Sequence, residues 1–222
     1  MKCIVIGLGN FGVALSQRLT MRGNEVLAVD SDLEKVNKYK DSISSTVALD
    51  VTNEMALRTL PLKEVDVVFV VLGKEFGTSL LVIALLKQIG VKRIVARSIS
   101  AVHSVILKSM GITELINPEK EYADFFATKV ELGTTIDSYI VDDNHLVVEW
   151  ELHPDFVGRK LVDVAFKDNF DLQLIALKRY DKKAGKPLVM QDVPNEMVLE
   201  KGDILVLYGT LRSFRQLGMQ FT

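Results

Sequence analysis

The segment Gly7-Leu8-Gly9-Asn10-Phe11-Gly12 places the strongest constraint on how this 222-residue chain can fold. It follows a short apolar run, residues 1–6, and opens a stretch, residues 11–22, in which apolar side chains recur at helical spacing. In this order of strand, turn and helix, the first glycine permits a tight turn, the second lets a diphosphate approach the backbone, and the third allows close helix packing. The start of the helix directs unpaired N–H groups and the positive end of its dipole at the phosphates. The segment therefore predicts a nucleotide-phosphate loop.

An acidic residue, Asp30, follows the predicted loop at the spacing found in dinucleotide-binding folds. The run at residues 25–29 has strand character and leads to Asp30, which follows Gly12 by 18 residues. Dinucleotide-binding folds place an acidic residue near this distance, where it binds the ribose hydroxyls. Glycine-rich turns are common, so a purely structural turn that binds nothing is the alternative.

Composition excludes several classes of function. The formal net charge of −2 provides no basic surface for nucleic acid or an anionic membrane, so we expect no nucleic-acid partner. No apolar run approaches the roughly 18 residues of a membrane span, and the first strand leaves no room for a signal peptide, so the sequence predicts a cytoplasmic protein. The single cysteine, Cys3, lies within the first strand, where we expect a buried thiol rather than a nucleophile.

The first half of the chain alternates strand and helix patterns. Because parallel strands need crossovers and helices supply them economically, this alternation predicts an α/β fold with a Rossmann-like, doubly wound parallel sheet. The predicted strands are residues 1–6, 25–29, 43–49, 65–72, 93–97 and 113–116. Ligands bind such sheets at the carboxyl ends of the strands, where we expect Gly7, Asp30, Asp50, Gly73 and Arg97 to converge on one crevice.

The pattern changes after residue 117. Residues 118–134 read as a linking or crossover helix, and residues 135–222 as a small, β-rich α/β domain. Within that domain we predict helices at residues 161–166 and 211–217, and a hairpin loop at residues 181–186. The predicted nucleotide-binding domain accordingly spans residues 1–117.

The chain resembles the TrkA/KtrA-type RCK proteins, cytosolic regulators of bacterial potassium transport. The resemblance extends over nearly the whole chain and rests on IVIGLGNFG, EVLAVD, INPEKEYA, GRKLVDV and KGDILVLYG. It implies an N-terminal domain that binds NAD(H) or ADP/ATP, and a second domain similar to the TrkA-C module. It also implies homodimers that assemble into an octameric ring on a membrane-embedded potassium transporter subunit, which would place the protein at the inner membrane through its partner.

The resemblance assigns roles to individual residues. Gly7, Gly9 and Gly12 match the phosphate loop, Asp30 the ribose carboxylate, and Asp50 a position near the adenine. Arg97 is a candidate phosphate or pocket contact, with an exposed salt bridge as the alternative. Glu119 matches a carboxylate that, in the ATP-responsive branch, lies near the nucleotide at the dimer junction and can take part in binding a divalent cation; a solvated first-turn acid is the alternative. The complete predicted nucleotide site comprises Gly7, Gly9, Asn10, Phe11, Gly12, Asp30, Ser31, Asp50, Val51, Gly73 and Arg97.

Asn10 departs from the pattern of ATP-responsive relatives, which commonly carry arginine there. An amide can donate to a phosphate but lacks the charge-assisted, bidentate contact of a guanidinium, so discrimination of ATP from ADP is in question. The site also disfavours NADP, because Asp30 would face a 2′-phosphate and Ser31-Asp32 supplies no compensating arginine.

The sequence shows no catalytic constellation. His103, His145 and His153 are far apart and lack companions at metal-ligand spacing. We therefore expect a sensor rather than an enzyme. The alternative is an NAD-dependent oxidoreductase with residues 135–222 as a small substrate domain.

Overall fold

The computed structural model describes residues 1–73, 76–132, 135–181 and 185–219. The chain divides into two compact units, Met1–Pro118 and Glu119–Thr222. Within the described ranges, every helix falls short of the length and hydropathy that a membrane span needs.

The first unit is a six-stranded parallel sheet flanked by helices. The strand order is β3-β2-β1-β4-β5-β6, so the order reverses beside β1, which confirms the predicted doubly wound fold. The strands are β1 (Lys2–Ile6), β2 (Glu25–Asp30), β3 (Ser45–Ala48), β4 (Val67–Val70), β5 (Ile94–Arg97) and β6 (Glu114–Ile116). The helices are α1 (Asn10–Met21), α2 (Leu33–Tyr39), α3 (Glu54–Leu57), α4 (Phe76–Ile89) and α5 (Ala101–Ser109).

Strand β1 is buried on both faces. Its side chains alternate between two apolar layers: Ile4 and Ile6 pack in one, and Cys3 and Val5 in the other. None of the four is more than 1% exposed. A central strand with helices on both sides needs apolar residues at every position, and for this reason its sequence is continuously apolar rather than alternating.

Helix α3 is shorter than the sequence predicts. The sequence predicts a helix over residues 55–60, ended by Pro61, whereas the helix runs from Glu54 to Leu57. The Asn53 side chain caps its start by accepting hydrogen bonds from two main-chain N–H groups. The N–H groups of Thr59 and Leu60 then donate to carbonyls three residues earlier, as in a 3-10 turn. The α-helix therefore ends before Pro61.

The second unit contains a five-stranded antiparallel sheet in the order β10-β9-β11-β8-β7. Its strands are β7 (Thr135–Ile140), β8 (His145–Glu151), β9 (Gln173–Asp181), β10 (Lys186–Met190) and β11 (Ile204–Thr210). Its helices are α6 (Pro118–Leu132), α7 (Leu161–Val164), α8 (Phe166–Phe170) and α9 (Leu211–Gly218), with a 3-10 turn at Pro154–Phe156. Leu132, at the end of α6, packs into the same core as Trp150 and Phe214.

Two features of the second unit differ from the sequence prediction. The helix expected at residues 161–166 is divided by Ala165, whose φ of 47° is left-handed, so α7 ends there and α8 begins. The edge strand β10 was not predicted; it contains Pro187, which an edge position tolerates. Part of the predicted hairpin loop, residues 182–184, lies outside the described residues, and the flanking Asp181 and Lys186 pair across an antiparallel ladder.

A buried ion pair fixes the approach to β11. Asp203 is 1% exposed and accepts hydrogen bonds from Arg179 Nε and Nη2, both at 2.7 Å, and from the main-chain N–H of Glu200 at 2.8 Å. Arg179 also donates to a Glu200 side-chain oxygen at 2.6 Å. Removing one partner of such a pair leaves the other charge poorly compensated.

We predict that Asp203→Ala lowers the free energy of unfolding of the second unit by about 3 kcal/mol. Urea unfolding followed by Trp150 fluorescence measures this unit, since Trp150 is the single tryptophan and lies in its core. The control is Glu196→Ala, which removes an exposed ion pair with Lys160 and should cost less than about 1 kcal/mol. Equal losses for the two variants would contradict the assigned role of Asp203.

Candidate functional site

The loop after β1 begins with a glycine that no other residue could readily replace. Gly7 has a φ of 107°, and its N–H donates to the carbonyl of Val29 at 2.7 Å. A Cβ at this position would lie 3.1 Å from Leu72 Cδ2 and 3.3 Å from the carbonyl oxygen of Val71. Gly7 therefore makes the tight turn that the sequence predicts after β1, and this turn lies beside the ends of β2 and β4.

Gly9 and Gly12 are required for different reasons. A Cβ on Gly12 would lie 1.9 Å from the carbonyl oxygen of Gly7, so only glycine lets α1 start against the loop. A Cβ on Gly9 would meet nothing within 4 Å. Gly9 is the extended N-cap residue of α1, and the space beside it is open to an approaching diphosphate.

The other two loop residues differ in burial. Asn10 is exposed and is the first residue of α1, whose first turn carries no acidic side chain to compete with an anion. Phe11 is partly buried and packs against the apolar layer that contains Val5. Asn10 is therefore available to a ligand, whereas the Phe11 side chain mainly anchors the helix.

Asp30 lies directly beside the loop. Its Oδ2 accepts the Leu8 N–H at 2.7 Å, and its Oδ1 accepts the Asp32 N–H at 2.9 Å. Its side chain is 12% exposed, and Lys35 Nζ lies 3.4 Å from Oδ1. The Leu8 N–H thus fixes the Asp30 carboxylate against the loop, while part of the carboxylate stays accessible to solvent. Ser31, the next residue, is exposed.

The end of β3 contributes a second carboxylate. Asp50 Oδ1 accepts hydrogen bonds from Thr52 N at 2.9 Å and Thr52 Oγ1 at 2.6 Å, and these bonds lower the pKa of Asp50 below its ordinary value. Asp50 is therefore ionised at neutral pH. Val51, predicted in the same site, has its side chain in the apolar core, so only its main-chain atoms are available to a ligand.

Gly73 and Arg97 come together at the ends of β4 and β5. A Cβ on Gly73 would lie 2.7 Å from Arg97 Nη1, so the guanidinium packs directly on the glycine. Arg97 is partly buried. The contact of Arg97 with a phosphate stays a prediction.

Two further side chains lie near these strand ends, and the sequence assigned neither of them a role there. One is Lys35, whose ammonium lies at Asp30. The other is His103, which is fully buried, with Nδ1 accepting from Ile99 N at 3.4 Å and its ring 4.7 Å from that of Phe76. Burial lowers the pKa of His103, so it is neutral at pH 7 and supports the segment after β5.

Glu119 lies in the first turn of α6, in the second unit. No group of three or more His, Cys, Asp or Glu side chains that could hold a metal ion occurs among the residues that the structure describes. The divalent cation at Glu119 stays a prediction.

A cavity of about 360 Å³ opens at the opposite edge of the sheet, near the amino ends of the strands. Lys2, Cys3, Glu25 and Pro61 are among its lining residues. Burial raises the pKa of the Cys3 thiol, whose Sγ lies 3.6 Å from the Glu25 carbonyl, so it remains a protonated packing group. We place the candidate site at the carboxyl edge, because the glycine loop, Asp30 and Asp50 converge there.

These features define the first unit as a nucleotide-binding fold of the Rossmann class. Residues 3–118 match the TrkA-N domain family. The Ktr system potassium uptake protein C of Bacillus subtilis (strain 168) is 30% identical to this chain over 207 residues, which cover 93% of this chain and 91% of that protein. The chain belongs to the TrkA-N domain family and, within it, to the Ktr type of potassium uptake proteins.

Two solved structures are similar in fold. The GsuK RCK domain superposes with a TM-score of 0.61 at 18% identity, covering 98% of this chain and 47% of that one, so this chain spans about half its length. The NAD(P)-binding domain of an exopolyphosphatase-related protein from Archaeoglobus fulgidus is 27% identical, with a TM-score of 0.53. That similarity covers 58% of this chain and 96% of the other.

We predict that Gly12→Ala destabilises the first unit by at least about 3 kcal/mol, since the added methyl group meets the Gly7 carbonyl. Gly9→Ala, whose Cβ enters open space from an extended backbone, should change stability by less than about 1 kcal/mol. Thermal unfolding followed by far-UV circular dichroism compares the two. Similar midpoints for both variants would show that the helix does not start against the loop as described.

Proposed function

We propose that this chain is a nucleotide-sensing regulatory subunit of a potassium uptake system. The observation that carries the proposal is the hydrogen bond between Leu8 N and Asp30 Oδ2, which joins the phosphate loop to the ribose carboxylate. Membership of the Ktr type supports the link to potassium uptake.

The proposed ligand is NAD(H) or an adenine nucleotide, ADP or ATP. Open space at Gly9 suits a diphosphate, and Asp30 suits the ribose hydroxyls. The similarity to an NAD(P)-binding domain at 27% identity supports a dinucleotide. Since Asn10 carries no charge, we expect only weak discrimination between a diphosphate and a triphosphate.

The proposed role is regulation rather than catalysis. Two charged pairs of the second unit are internal to it: Arg179 on β9 pairs with Asp203 just before β11, and Lys178 on β9 pairs with Glu149 on β8. Its core is built from apolar and aromatic side chains. No observation on the described residues favours the alternative oxidoreductase with a substrate domain at residues 135–222.

The proposed partners are a second copy of the chain, an octameric ring, and a membrane-embedded potassium transporter subunit that holds this cytoplasmic protein at the membrane. Exposed apolar side chains on α6 support self-association: Tyr122, Phe126 and Val130 recur at helical spacing and are 64%, 50% and 70% exposed. Glu119 on the same helix is the proposed cation ligand at the dimer junction.

Regulation requires that a nucleotide bind two ring shapes with different affinity, because equal binding to both shifts nothing. To move a ring from mostly one shape to mostly the other, the affinities must differ by about 10⁴-fold across the assembly. When each subunit of a ring binds the nucleotide with a small difference in affinity between the two shapes, these differences multiply over the ring. Several subunits therefore reach this ratio more readily than one.

We predict that isothermal titration detects binding of at least one of NADH, NAD⁺, ADP and ATP, and that Gly9→Ala weakens it by at least about tenfold, since the methyl group occupies the diphosphate's approach. The control is Gly218→Ala, at the end of α9, where a Cβ also meets nothing within 4 Å. It should bind as the unmodified chain does. No binding of any of the four at millimolar concentration would overturn the proposed function.

A further inference from the structure

Lys35 lies beside the carboxylate of Asp30, which is proposed to bind the ribose hydroxyls. Lys35 Nζ lies 3.4 Å from Asp30 Oδ1 and 3.5 Å from Asp32 Oδ2. Its side chain is 43% exposed, against 12% for that of Asp30. The ammonium therefore covers the carboxylate from the solvent side and remains accessible to a ligand.

The dipole of α2 does not favour a lysine at the position of Lys35. Asp32 is the N-cap of α2, and Lys35 follows within the first turn, where a cation opposes the helix dipole. Its charge is compensated by Asp30 and Asp32. The contact with Asp30 is the longest that this carboxylate makes in the described structure, so a ligand would alter it before the Leu8 or Asp32 hydrogen bond.

We propose that Lys35 determines whether the site accepts a phosphate at the 2′ position of an adenosine ribose. This inference rests on the proposed function, since it assumes that Asp30 faces that ribose. A 2′-hydroxyl would donate to Asp30, whereas a 2′-phosphate would be repelled by Asp30 and would accept from Lys35. With both charges present, the site tolerates 2′-phosphorylated nucleotides alongside unphosphorylated ones.

Ser31 and Asp32 supply no cation to offset Asp30, and on that ground the sequence disfavours NADP. Lys35 supplies that cation, so the site no longer disfavours NADP. Lys35 lies five residues after Asp30 and reaches it because one turn of α2 brings its side chain back over the end of β2. A point charge on a flexible stem suits this role, since it can move between a carboxylate and a phosphate.

The test measures two ligand pairs that differ only by a 2′-phosphate: NADH with NADPH, and AMP with adenosine 2′,5′-bisphosphate. We expect the unmodified chain to bind both members of a pair. Lys35→Met should weaken the 2′-phosphorylated member by at least about tenfold and the other by less than about threefold. Isothermal titration gives the four dissociation constants for each protein.

Lys38→Met is the matched control, because it removes a lysine from the last turn of the same helix, where Nζ lies over the Tyr39 ring rather than at Asp30. It should leave both ratios unchanged. Equal weakening of both members by Lys35→Met, the same change in Lys38→Met, or failure of NADPH to bind where NADH saturates would each overturn the inference alone. Failure of all four ligands, together with ADP and ATP, would overturn the proposed function and this inference with it.

Discussion

The hydrogen bond from Leu8 N to Asp30 Oδ2 is the contact on which the candidate site depends. It joins the turn after β1 to the end of β2, which also pairs with β1 through a parallel ladder. Gly7 reinforces the connection through its N–H to the Val29 carbonyl. A main-chain donor and a carboxylate therefore hold the loop in place before any ligand arrives, which lowers the ordering cost of binding.

The close approach of backbone to backbone sets the geometry around this bond. Gly12 brings the start of α1 against the Gly7 carbonyl, so the helix N-terminus has one direction relative to the loop. At the other end of the crevice, Gly73 makes room for the Arg97 guanidinium. The glycines thus have different roles. Gly7 makes a turn, and Gly9 leaves space for a ligand. Gly12 lets α1 contact the loop, and Gly73 leaves room for a guanidinium.

The sequence predicts the first unit well because its signals are local and agree with each other. Continuous apolar strands, helical periodicity and glycine spacing all indicate one doubly wound sheet, and the structure has that sheet. The failures have specific causes. The left-handed backbone at Ala165 divides a helix without a glycine to signal it, and β10 is formed by pairing with β9, which outweighs Pro187. Lys35 was missed because its contact with Asp30 depends on a helical turn rather than on neighbouring positions in the chain.

The central claim is that nucleotide binds at the carboxyl edge of the first unit, and hydrogen–deuterium exchange with and without a saturating nucleotide tests it most directly. The account predicts slower exchange in peptides that contain residues 7–12 and 30–32, with little change at residues 44–45 and 61–65 beside the opposite cavity. Protection confined to residues 44–45 and 61–65, with the glycine loop unchanged, would contradict it.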